Sequence, residues 1–237
     1  MPAGMRWIMS DENQPHRVMP DGSTQVMPTE FHASPGVSDW RVLYWGAHAY
    51  YPTASFAEAA RFVAAIAEIA ERLEHAPDVD LRPEGVTIRT HSRRDGALGH
   101  KDAELAAAIS DAARELGLTA DPSQLTVFGI AVAQDAGVDT RPFWEAVSGY
   151  ERLADEDLID RHRRGPHLWF HELEKPRPGR GRTHIDISVP ADQAEARVAA
   201  ALAAGGRMVR DNAPAWWTLA SPDNHGVDIA AWPDFEA

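Results

Sequence analysis

Two histidines bracket the stretch LEHAPDVDLRPEGVTIRTH: His75, beside a proline, and His91, at its end. An imidazole takes up or gives away a proton near neutral pH, so two of them brought together by a hairpin could carry acid–base chemistry. Between His75 and Pro77 stands Ala76, a side chain with no chemistry of its own. Glu74 precedes His75 and is placed to orient or charge-tune one of the rings. Ala76, Pro77 and Arg89 flank the two histidines and are the expected substrate contacts. The plainer reading is that His75 sits favourably at the negative end of a helix and His91 at a solvated strand end.

The elements that must position these residues are legible on either side. The run SFAEAARFVAAIAEIAERLE has a capping-box pattern at Ser55 and Glu58. Its apolar residues Ala59, Phe62, Val63, Ile66, Ile69, Ala70 and Leu73 follow helical spacing. The helix delivers Glu74 and His75 at its C-terminal end, where Pro77 forces a stop. A hairpin follows, with its turn at RPEG. In the return strand VTIRTH, alternation puts Val86, Ile88 and Thr90 on one face and Thr87, Arg89 and His91 on the other. The run HKDAELAAAISDAARELG predicts a second helix ending at Gly117. Upstream, aromatic and β-branched residues from Trp40 to Tyr51 predict strands, with Gly46 at a bulge or turn.

The chain has 237 residues, 44% of them hydrophobic and 25% charged, as in a soluble globular protein of one large or two smaller domains. It has no cysteine, which excludes disulfides, thiolate metal sites and cysteine nucleophiles. Its net charge of −13 opposes binding to nucleic acid. The basic runs RHRRG (161–165) and KPRPGRGR (175–182) read as solvated loops, with a small anionic ligand as the lesser alternative. No apolar run reaches the length of a membrane span and no signal-peptide pattern opens the chain, so a cytoplasmic protein without membrane contact is expected.

Four segments are expected: a disordered tail over 1–28, a first domain over 29–117, a linker over 118–124 and a second domain over 125–237. Met27 is a candidate natural start. In the second domain LTVFGIAVA, PHLWFHELE, THIDISVP, RMVRD, WWTLASP and GVDIAAW read as strands. RPFWEAVSGY and ADQAEARVAAALAAGG read as helices. The order of strand, helix and several strands occurs twice, which is an internal repeat of a βαβββ unit.

Residues about 30 to 117 resemble the pterin-4a-carbinolamine dehydratase (4a-hydroxytetrahydrobiopterin dehydratase) family. The resemblance rests on EHAPDVD at the helix end and on RTHSRRDGALGHKD after the hairpin. It gives His75 the place of the first family histidine, His91 that of the third and Asp102 that of a helix-opening aspartate. Ala76 replaces the second histidine, and GALG stands where Gly-Leu-Thr is usual. The resemblance implies an α+β fold, association into homo-oligomers through the sheets, and a hydro-lyase that needs no cofactor. Losing water from a carbinolamine requires a proton on the leaving hydroxyl and removal of one from a ring nitrogen, tasks suited to His75 and His91. Ala76 should weaken that activity or alter substrate choice.

Residues about 124 to 235 resemble the glyoxalase/bleomycin-resistance (vicinal oxygen chelate) superfamily, on THIDISVP and SPDNHGVDIAAW. The resemblance implies a cupped sheet of two βαβββ modules around one pocket. Metal-dependent members place ligands where this chain has His184 and Asp228, and LWFHELE offers His171. The opening strand, TVFGIAV, has no ligand. Two histidines and one carboxylate on adjacent strands could make a facial triad for a divalent metal, with Asp186 as a supporting neighbour. Trp169, Trp216 and Trp217 could line a ligand cavity, although tryptophans are more often core.

The resulting expectation is an enzyme expelling water from a pterin-like heterocycle at His75 and His91. The alternatives are an enzyme of specialised metabolism acting on a non-pterin substrate, a non-catalytic binding protein using the C-terminal cup, and a metal-dependent enzyme in that cup.

Overall fold

The computed structural model describes residues 25–44, 46–91, 97–153, 157–173, 183–220 and 226–232. The expected tail lies outside these up to residue 24. From there the chain is already structured: Val26 is buried and its N–H donates to Leu98 O at 2.8 Å. A short helix α1, Pro28–Ala33, that no periodicity announced follows, and it buries Phe31 completely. Among the described residues the chain forms two compact units, one of residues 25–126 with Trp232 and one of residues 127–231. The fold is α+β.

The first unit continues with β1 (Arg41–Val42), β2 (Ala47–Pro52), α2 (Phe56–Leu73), β3 (Asp78–Arg82), β4 (Gly85–Thr90) and α3 (His100–Glu115). The strands form an antiparallel sheet in the order β1-β2-β4-β3. Helix α2 opens on the box read from the sequence: Glu58 N–H donates to Ser55 Oγ at 3.2 Å, and Ala54 N–H donates to Glu58 Oε2 at 2.6 Å. Its Ala59, Phe62, Ile66 and Ile69 are buried against the sheet and α3, which contributes Leu105, Ala106, Ile109 and Ala113. Each large side chain so buried stabilises the unit by about 1.5–3 kcal/mol. Glu74 closes α2 in a left-handed conformation (φ 50°). The segment expected as a linker is held rather than free. Leu118 and Ala120 pack on the core, and Asp121 N–H donates to Tyr50 O at 2.8 Å.

The second unit comprises β5 (Val127–Gln134), α4 (Arg141–Ser148), β6 (Glu151–Leu153), β7 (Asp157–Ile159) and β8 (His167–Glu172). Then come β9 (Thr183–Ser188), α5 (Ala194–Ala203), β10 (Arg207–Asn212), β11 (Trp216–Ala220) and β12 (Gly226–Ala230). All eight strands share one sheet, in the order β10-β11-β12-β9-β5-β8-β7-β6. β5 and β9 lie antiparallel at its centre, and each has the last strand of its own module parallel beside it. The sequence repeat is thus a structural one. Alternation sorts the faces. Val132, Leu158, Leu168, Phe170, Trp217, Leu219 and Ile229 are buried in apolar clusters. The intervening positions carry histidine, tryptophan and aspartate.

Candidate functional site

The left-handed Glu74 turns the chain out of α2 so that His75 points back toward the start of α3. His75 Nε2 lies 2.8 Å from Asp102 Oδ1 and 3.3 Å from Thr90 Oγ1. Thr90 Oγ1 itself donates to the same Asp102 oxygen, and Gly99 N–H donates to Asp102 Oδ2 at 2.8 Å. Asp102 is 2% exposed and His75 20%. An ionised carboxylate only accepts hydrogen bonds, so it holds the proton of His75 on Nε2 and leaves the lone pair of the neutral ring on Nδ1.

His91 is also paired, with a different carboxylate. Its Nε2 lies 3.3 Å from Asp78 Oδ2, the oxygen that also accepts from Arg89 Nη2 at 2.8 Å and Nε at 3.3 Å. Asp78 and Arg89 are direct cross-strand partners on β3 and β4. Alternation along β4 turns Thr90 to the helices and Arg89 to the other face of the sheet, and His91, the first residue after β4, meets the Asp78 that Arg89 holds. The two histidines therefore belong to two separate histidine–carboxylate pairs.

Among the described residues the carboxylates beside the rings are Asp102 and Asp78, not Glu74, which is exposed at the helix end. Arg89, expected to meet substrate, is occupied by Asp78. Ala76 is exposed next to His75, and Pro77 is half-buried. Sequence reasoning missed Asp78 and the hydroxyl of Thr90. The alternation of the hairpin held the signal for Asp78, because it puts that residue and Arg89 on the polar face at facing positions.

In the second unit the expected metal set is met in part. His184 Nε2 lies 3.3 Å from Asp186 Oδ1 and 3.5 Å from Asp228 Oδ2. One ligand-type atom from each of these three residues lies within 4.8 Å of the others. Asp186 thus stands in the cluster where His171 was expected. The reason is local: Asp186 is two residues from His184 on one strand and directly faces Asp228 on the next. The His171 ring centroid is 5.7 Å from that of His184 and 5.0 Å from that of Trp169. Trp169 Nε1 donates to Asp186 Oδ2. Two buried polar atoms here, His171 Nε2 and Asp228 Oδ1, have no hydrogen-bond partner among the described residues. Burial opposes charge on His184, but hydrogen bonds to Asp186 and Asp228 outweigh it and raise its pKa to about 10. Burial, then the neighbouring His184, pushes His171 below the ordinary histidine value.

The two tryptophans of β11 point to opposite faces. Trp217 is buried in the apolar cluster with Val198, Leu219 and Ile229, so it is core and does not line the polar face. Trp216 is half-buried on the face that also carries Asp228.

Comparison with known proteins agrees with both units. Residues 26–112 match the family model described as pterin 4 alpha carbinolamine dehydratase, and residues 129–230 match that of a glyoxalase-like domain. The crystal structure of a transcriptional coactivator/pterin dehydratase from Brucella melitensis is similar at 18% identity, covering 38% of this chain and 99% of that one, with a TM-score of 0.35. That of a glyoxalase/bleomycin resistance protein/dioxygenase superfamily member from Vibrio splendidus 12B01 is similar at 12% identity, covering 45% of this chain and 99% of that one, with a TM-score of 0.31. No curated protein matches the chain. The chain thus joins a segment similar to the pterin 4 alpha carbinolamine dehydratase family to a segment similar to glyoxalase-like domains.

Proposed function

We propose that the first unit is a lyase that expels water from a small heterocyclic carbinolamine, with a 4a-hydroxytetrahydropterin as the substrate to test first. The observation that carries the reading is the His75–Asp102 pair, closed by Thr90 and by the first turn of α3. A buried carboxylate with three donors cannot drift, so the imidazole it holds is fixed as well. In this reading His75 Nδ1 exchanges a proton with the substrate, and His91 serves the second transfer. The proton given to the hydroxyl leaves with it as water, and the one taken from the ring nitrogen balances it. Ala76 leaves room where a larger side chain would stand, which suits a wider substrate or a slower reaction. Dehydration of 4a-hydroxytetrahydropterin, followed against the solvent rate, tests the reading. Wild type should exceed the solvent rate, and His75→Ala should lose about a hundredfold of the enhancement. A wild-type rate equal to solvent speaks against a pterin substrate.

A second reading concerns the glyoxalase-like unit, and the two unpartnered buried atoms favour it. A nitrogen from His184 and carboxylate oxygens from Asp186 and Asp228 suit a divalent cation of intermediate hardness, and His171 Nε2 and Asp228 Oδ1 are buried polar atoms without a hydrogen-bond partner among the described residues. Such an ion would supply Lewis acidity at the centre of the polar face. Here His184, Asp186 and Asp228 would hold it, and Trp169 would orient Asp186. Metal analysis after dialysis against zinc or manganese should find about one equivalent per chain, lost in Asp228→Asn. No stoichiometric metal would remove this reading.

A further inference from the structure

We propose that Asp78 is the positioning residue of His91, fixing that imidazole as Asp102 fixes His75. The inference rests on reading His91 as a proton-transfer group. Asp78 is the first residue of β3, reached directly from His75 through Ala76 and Pro77. Its Oδ2 lies 3.3 Å from His91 Nε2 and 2.8 Å from Arg89 Nη2.

The carboxylate can only accept, so the bond requires a proton on His91 Nε2 and leaves the lone pair on Nδ1. When Nδ1 takes a proton from the substrate, the Nε2–H stays on Asp78, and the new positive charge meets a carboxylate already in place. Arg89 holds Asp78 by two nitrogens, so the carboxylate keeps its direction while the ring changes charge. The backbone passes close to His91 at its Cβ. A Cβ added at Gly46 would stand 2.7 Å from His91 Cβ and 2.2 Å from Thr90 O, so only glycine lets β2 pass this close. His91 is accordingly 7% exposed.

The plain alternative is that Asp78 and Arg89 are a cross-strand ion pair that supports the sheet and does nothing for His91. The two accounts differ in what happens to the ring. Histidine-labelled full-length protein at about pH 8 gives the tautomer of each imidazole from its two-bond 1H–15N correlations. Wild type should show His91 protonated on Nε2. Asp78→Asn should mix or reverse that tautomer, leave His75 unchanged and lower kcat at least tenfold with little effect on KM. Asp78→Glu should restore the tautomer in part. Arg89→Gln breaks the ion pair but keeps the Asp78 carboxylate, and should leave His91 protonated on Nε2. If Asp78→Asn is too unstable to study, Asp78→Glu and Arg89→Gln still decide: a His91 tautomer that follows Arg89 rather than Asp78 overturns the proposal. So does an unchanged tautomer in Asp78→Asn, whether or not kcat falls. A wild type inactive on the pterin whose His91 still responds to Asp78→Asn would sink the proposed reaction while leaving the positioning intact.

Discussion

His75 and Asp102 meet at 2.8 Å, one at the end of the first long helix and the other in the first turn of the next. Asp102 there caps α3 through Gly99 N–H and holds the imidazole through its other oxygen. Asp102→Asn should therefore harm both stability and chemistry. The amide can still accept from Gly99, but it cannot serve Thr90 and His75 together as acceptors. We expect a loss of about 1–3 kcal/mol in denaturant unfolding and a fall in kcat of at least tenfold. Thr90→Val, which removes only the supporting hydroxyl, should cost less on both counts.

Gly129 faces His167 across β5 and β8. A Cβ at that position would stand 2.3 Å from His167 Cε1 and Nε2, so the ring occupies the space that glycine leaves. Gly129→Ala should destabilise the second unit by about 1–3 kcal/mol. Adding His167→Ala should recover part of the loss, because the clash partner is gone. Thermal melts of the two single variants and the double variant measure the coupling.

His184 gives the second unit a pH dependence in chelator-treated protein. Its folded pKa is raised to about 10, above its unfolded value of about 6.5, by the carboxylates of Asp186 and Asp228. Stability from a raised pKa is fully present below the unfolded value and is lost as pH rises through the folded one. Melting temperature should therefore fall between about pH 7 and 10, and the slope should flatten in His184→Gln. An equal slope in both proteins would show that the imidazolium does not hold the two carboxylates together.

Much of this arrangement was open to the sequence. The box at Ser55 and Glu58, the stop at Pro77 and the alternation of VTIRTH all depend on near neighbours, and all stand in the structure. The βαβββ repeat was equally plain, although the short strands β6 and β7 carry too few residues to show a period. What escaped were partners set by the register between strands. Asp78 meets His91 because β3 and β4 pair Asp78 with Arg89. Asp186 joins His184 and Asp228 because β9 and β12 run parallel in one register. Glu74 adjoins His75 in sequence, but the left-handed turn leaves its side chain exposed. The face that Trp217 takes likewise depends on where helix α5 packs.

Ala76 is exposed beside His75, so Ala76→His should fold as wild type does, with stability within about 0.5 kcal/mol. If the remaining histidines run a carbinolamine dehydration, an added imidazole at this place should raise the turnover of 4a-hydroxytetrahydropterin severalfold or lower its KM.

The most direct test is the rate of 4a-hydroxytetrahydropterin dehydration by wild type and by Ala76→His, side by side. The account predicts a wild-type rate above that of solvent, abolished by His75→Ala, and a further gain in Ala76→His. No rate above solvent in either protein would contradict it.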